Sequence, residues 1–166
     1  MPKATKQLED LFGEGLKDIY FAEKKILAAL PKMAKAAKSE DLAGAFEKHA
    51  GETEEQVARL EEVFKLLDQA PRGKNCPAIV GIIEEGQEII KEYKGSPALD
   101  AGLLGAAQAV EHYEIARYGT LCAWAQELGL KEAVRLLTAT LKEEENTDAA
   151  LTELAESVIN QQAEAA

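Results

Sequence analysis

The sequence predicts an all-α protein: a four-helix bundle whose second and third long helices are joined by a long crossover carrying a short extra helix. Two observations lead there first. Strong helix formers (Ala, Leu, Glu, Lys) dominate a chain in which only 5% of residues are aromatic. Apolar residues recur at three- and four-residue steps through four long segments, while no segment of useful length alternates with a period of two. The third is the grouping of the breakers: three of the five prolines lie between 71 and 97, which separates the helices into two pairs. With 166 residues, 46% of them hydrophobic, the chain can bury one sizeable core, so residues 1–166 are expected to form a single domain.

The first long helix is expected from about Thr5 to Lys38. Leu8, Leu11/Phe12, Gly15, Ile19, Glu23, Ile26, Leu30 and Met33 share one stripe, and Pro31 reads as a kink rather than an end. Ser39 followed by Glu40 and Asp41 is an N-cap with first-turn acids. It opens a second helix, 39–68, through Leu42, Phe46, His49, Val57, Leu60, Phe64 and Leu67, so the first two helices form a hairpin. QAPRGKNCP breaks the pattern, and a shorter helix over 78–93 carries Ile79, Ile82/Ile83, Ile89/Ile90 and Tyr93 on one face. Gly95, Ser96 and Pro97 end it, with Pro97 placed to start the next helix. That third long helix, 97–128, runs through Leu103/Leu104, Ala107, Glu111, Glu114, Tyr118, Leu121, Ala125 and Leu128, and Gly129 reads as its C-cap. The fourth, 130–160, carries Val134, Leu137, Leu141, Glu144, Asp148, Leu151, Ala155 and Val158, after which QQAEAA should fray. The crossover is long enough to return the chain along the bundle before the second hairpin begins.

Charge and patterning exclude several functions. A formal net charge of −11 repels nucleic acid and anionic lipid and suits cations. The start, MPKATKQLEDLF, holds no apolar run of signal-peptide length, and no later segment approaches the roughly 20 apolar residues of a membrane span, so a cytoplasmic protein is expected. Cys76 and Cys122 form neither a disulfide framework nor a zinc spacing and read as free thiols.

Carboxylates interrupt the apolar stripes of all four long helices: Glu23, Glu52, the pair Glu111 and Glu114, and the pair Glu144 and Asp148. A single Glu on a helix is usually solvated, but these have large apolar residues one and two turns away on both sides, and they match in depth. Glu23 lies 16 residues before Ser39 and Glu52 13 after it, roughly 20–24 Å from that turn. Glu114 and Glu144 each lie 15 residues from Gly129, again roughly 22 Å. Both hairpins therefore bring their acids to mid-height. Burying that much like charge is costly unless cations sit among it.

Hard oxygen donors with little nitrogen and no thiolate favour iron or manganese over zinc or copper, and bridging carboxylates can hold two ions together. Two metal ions are expected, iron ahead of manganese. His49 shares the face of Glu52 and reads as a ligand or as a hydrogen-bond partner of one; a core-edge histidine on a neighbouring carboxylate has nearly equal weight. His112 lies on another face. Gln56 could hydrogen-bond a ligand, and Tyr20 and Tyr118 read first as core aromatics. Glu55, Glu143 and Glu145 sit beside the inward stripes and are taken as solvent-facing.

The segments LKDIYFAEKKILAALPKMAKAA, FEKHAGETEEQVARLEEVFKLL, AVEHYEIARYGTL and LLTATLKEEENTDAAL resemble the YciF-type stress-response family, a branch of the ferritin-like superfamily, and the likeness covers nearly the whole chain. The resemblance implies a ferritin-like bundle, a homodimer and a di-iron centre. Rubrerythrin-like members carry one Glu on the first helix, E-x-x-H on the second, E-x-x-E on the third and E-x-x-H on the fourth. Glu23 matches the first position, and Glu111 with Glu114 matches the third. Glu52 is followed by Glu55, with His49 preceding it, and Glu144 is followed by Thr147 and then Asp148, which leaves the centre poorer in histidine than that pattern. The implied ligand set is Glu23, His49, Glu52, Glu111, Glu114, Glu144 and Asp148, with Glu52 and Glu144 bridging or capping the metals. The implied role is stress defence, by oxidising or sequestering iron or by consuming peroxide, with dioxygen or peroxide as the small oxidant. The alternative is a non-catalytic helical dimer serving as a structural or interaction module.

Overall fold

The computed structural model describes residues 5–165; the first four residues and the last, which the single-domain reading takes in, lie outside it. The described chain is all helical: α1 (Leu8–Ala36), α2 (Glu40–Leu66), α3 (Pro77–Glu92), α4 (Leu99–Glu127) and α5 (Lys131–Leu154). A π-helical turn, Ala155–Ile159, then leads into α6 (Asn160–Glu164). Helical structure thus extends to Glu164, past the expected fraying point, because Ala155 and Ile159 dock in the core. No helix among the described residues is long and apolar enough to cross a membrane.

The caps set the lengths. At the start of α1 the Gln7 backbone N–H donates to Asp10 Oδ2 at 2.8 Å, and at the start of α2 the Leu42 N–H donates to Ser39 Oγ at 3.3 Å. Pro31 lies inside α1 without ending it. Pro77 occupies the first turn of α3, where its missing N–H leaves no helix bond unmade. Pro97 plays no such part for α4, which begins two residues later. Gly129, at φ 71°, closes α4 with the Leu130 N–H donating to the Ala125 carbonyl at 2.9 Å. At the end of α2 the same left-handed position is filled by Asp68, at φ 55°.

The long helices pack as α1 against α2 and α4, and α5 against α2 and α4, while α3 covers the groove between α1 and α4. Each hairpin is antiparallel, and α3 carries the chain back along the bundle as the crossover requires. Its lower end is tied by the Lys74 N–H donating to the Lys17 carbonyl at 3.0 Å. At the other end the buried Asp100 of α4 accepts the backbone N–H groups of Lys38 and Ser39 at 2.9 and 2.8 Å. Lys38 Nζ donates to the carbonyls of Gly95 and Ser96. Asp100 therefore joins the α1–α2 turn to the α3–α4 turn and fixes the relative height of the two hairpins. That height brings their acids together.

Candidate metal centre

Midway along the bundle, Glu23 of α1, Glu111 and Glu114 of α4 and Glu144 of α5 are all 0% exposed, and His49 of α2 is 2% exposed. Each owes its burial to its helix's stripe. Ile19 and Ile26 flank Glu23, Ala107 and Tyr118 flank the α4 pair, and Leu137 and Leu151 lie two turns either side of Glu144. His49, Glu111, Glu114 and Glu144 each offer a ligand atom within 4.8 Å of the others. Two ligand atoms on opposite sides of an ion that binds them at about 2.1 Å would be roughly 4.2 Å apart, so the spacing suits a shared ion. Glu23 adjoins this group, its carboxyl beside that of Glu114.

The electrostatics are unfavourable for carboxylates left to themselves. Both oxygens of Glu111, Glu114 and Glu144, Oε2 of Glu23 and Nε2 of His49 are buried without a hydrogen-bond partner. Burial first, then mutual repulsion, raises the proton affinities: Glu111 to about 8, Glu144 to about 10 and Glu114 well above the carboxylate range. Burial also raises Glu23, to about 7, with the Tyr118 hydroxyl and then Glu114 pulling it back down. His49 Nδ1 lies 3.1 Å from Glu111 Oε1, and Nε2 lies 3.7 Å from Glu144 Oε2. The imidazole thus stands between two carboxylates. An isolated buried charge of this kind persists only if neutralised by protons or by cations.

Glu52 and Asp148 stand at the rim of this group. Lys48, one turn earlier on α2, holds Glu52 Oε1 at 2.7 Å and leaves the side chain 28% exposed, although Oε2 is buried and unpartnered. Asp148 is 20% exposed and turns toward α4, 3.2 Å from Gln108 Nε2 and 3.3 Å from His112 Nε2. The face assigned to His112 does lie outward, since that imidazole is 68% exposed.

Three neighbours differ from expectation. Glu143 is half-buried rather than free in solvent: Arg59 of α2 grips both its oxygens at 2.6 and 2.7 Å, and Gln56 donates to Oε2 at 3.1 Å. Burial alone would push Glu143 up, but the Arg59 guanidinium brings it below the usual carboxylate range. Gln56 consequently serves Glu143 and not a carboxylate of the central group. Tyr118 is more than a core aromatic, because its buried hydroxyl donates to Glu23 Oε1 and fixes that carboxylate's orientation. Its place on the α4 stripe, one turn beyond Glu114, was the signal. Tyr20 bonds Glu61 at 2.8 Å, away from the centre. Glu55 and Glu145 face solvent as expected, and both cysteines are free.

A family model described as a domain of unknown function, DUF892, matches residues 7–164. The chain is 43% identical over 160 residues to protein YciF of Escherichia coli (strain K12), spanning 96% of each sequence. The crystal structure of that E. coli stress protein has a TM-score of 0.89 to this fold, covering 94% of this chain and 99% of its own. YcfI of Rhodopseudomonas palustris is 49% identical with a TM-score of 0.87, covering 92% of this chain and 97% of that one. With identity and fold agreeing over nearly its full length, the chain belongs to the DUF892/YciF family.

Proposed function

We propose that this protein holds two hard metal ions, iron ahead of manganese, in the mid-bundle centre and serves in stress defence by oxidising or sequestering iron or by consuming peroxide. The observation that carries the proposal is the set of fully buried, unpartnered carboxylates converging from three helices around His49. The relative from E. coli is a stress protein, which supports the physiological setting. Charge supports the count: Glu23, Glu111, Glu114 and Glu144 carry four negative charges when ionised, which two divalent ions balance.

Glu111, Glu114, Glu144 and His49 would hold the ions, with Glu23 beside them and Glu52 and Asp148 completing the set from the rim. Ions in such a site supply Lewis acidity and electron transfer toward dioxygen or peroxide. The protein's own part is orientation and proton handling. Tyr118 holds Glu23 in place, and Ile19, Ile26 and Leu137 exclude water from the carboxylates. Glu111 and Glu144, whose proton affinities are raised, release protons as cations arrive.

Elemental analysis of protein freshly purified from aerobic, iron-replete cells tests the proposal, with a Glu52→Ala, Glu144→Ala double variant as control. Near-stoichiometric iron or manganese, lost in the variant, is expected; its absence from the wild type would sink the metal reading. Uptake of dioxygen on adding Fe(II) then separates oxidation from storage.

A second reading, a homodimeric helical module without catalytic chemistry, draws on one observation: the same carboxyl groups can be carried as neutral acids because burial raises their proton affinities. Absence of iron and manganese from the freshly purified wild type would favour that module.

A further inference from the structure

An apolar cavity lies beneath α3, between α1 and α4. Ile26 and Leu30 of α1, Ile83 and Ile90 of α3, and Ala107 and Val110 of α4 wall it with hydrocarbon. It leaves about 30 Å³ of open space, enough for one or two molecules the size of water. Its lining includes both the exposed Lys32 and Gln87 and the buried His49 and Glu111. Small residues create it. Gly86 of α3 is buried with no side chain to fill the space, facing Ala106 of α4, and Ala29 lines the α1 side.

From this geometry we propose that the cavity is the holding site and passage by which dioxygen reaches the carboxylate–histidine centre. The proposal rests on the metal reading above and narrows its oxidant to dioxygen. The walls decide the ligand class. A hydrated cation or a peroxide molecule would surrender its hydrogen bonds to water along a hydrocarbon wall that returns none before His49 and Glu111. Dioxygen makes no such bonds, is small enough for the open space, and like xenon partitions readily into apolar surroundings. Organic substrates are too large for the space. Cations instead meet the partly exposed Glu52 and Asp148, neither of which lines the cavity, so oxidant and metal approach by separate routes.

Xenon is the direct probe, because it reports on the cavity whether or not metal is bound. Metal-free crystals under xenon pressure should show the gas between Ile83 and Val110. Two variants, Gly86→Leu and Ala29→Leu, should each lose it while keeping wild-type helical content; leucine is the better helix former at 86, and the second variant fills the opposite wall. In Fe(II)-loaded protein each filled variant should retain wild-type iron stoichiometry, slow oxidation by dissolved dioxygen roughly tenfold, and leave oxidation by added hydrogen peroxide unchanged. Absence of xenon from the wild-type cavity overturns the proposal, as does a variant that excludes xenon yet oxidises iron with dioxygen at the wild-type rate. A chain that takes up xenon but no iron overturns the metal reading instead.

Discussion

Replacing Glu144 by Gln should stabilise the metal-free protein while abolishing its metal site. Glu144 is 0% exposed, and burial followed by the charges of Glu23 and Glu111 pushes its pKa up to about 10, against 4.5 for an ordinary glutamate. At about pH 8 the fold must hold as a neutral acid a group that is ionised when unfolded. The gap of roughly 3.5 pH units, at about 1.4 kcal/mol each, sets a ceiling near 5 kcal/mol. The same repulsions also raise Glu111, so about half of that, ~2–3 kcal/mol, is the gain expected from removing this one charge. Glutamine keeps the shape and offers an N–H where the acid offers its proton. Because the folded pKa lies above the unfolded one, Glu144's contribution is fully present below about pH 4.5 and is lost as pH rises toward 10. The advantage of the variant should therefore be absent near pH 4.5, substantial by pH 8, and level off only as pH approaches 10. Urea unfolding followed by circular dichroism, after chelation of metal, should show the midpoint raised by about 1 M at the higher pH with an unchanged slope. A variant equally or less stable at pH 8 would show instead that Glu144 is ionised and paired with His49.

Asp100→Ala should destabilise the protein by about 2–3 kcal/mol in the same assay, since it strips the α1–α2 turn of two charge-assisted hydrogen bonds. Asp68→Gly should gain about 0.5–1 kcal/mol, read as a raised melting temperature, because Asp68 closes α2 at φ 55°. Gly102→Ala should cost about 1–3 kcal/mol, since the new Cβ would sit 2.7 Å from Ile89 Cγ2. In an Ile89→Ala background that penalty should largely disappear, which a double-mutant cycle measures.

The sequence revealed the bundle and the heart of its centre for a simple reason. A carboxylate on an apolar stripe is a local signal, and depth from a turn is arithmetic, so Glu23, Glu111, Glu114 and Glu144 could be placed together before any coordinates. Depth says less about rotation. Glu52 and Asp148 lie at the right height, but Lys48 draws one outward and His112 the other, and those pulls depend on side-chain rotamers. Long-range partners were also hidden: Arg59, 84 residues from Glu143, converts an apparently solvated acid into a half-buried ion pair. The capping of the α1–α2 turn by Asp100 joins residues 61 and 62 positions apart and has no sequence signature. The apolar cavity depends on where α3 settles against α1 and α4, which periodicity alone does not determine.

If the buried acids hold cations, anaerobic calorimetric titration of chelated protein with Fe(II) should saturate at about two ions per chain with release of protons, because carboxyls carried neutral in the metal-free fold must ionise to bind. The Glu52→Ala, Glu144→Ala variant should lose that uptake. No saturable uptake, or equal uptake by the variant, would leave the buried acids without a cation-holding role.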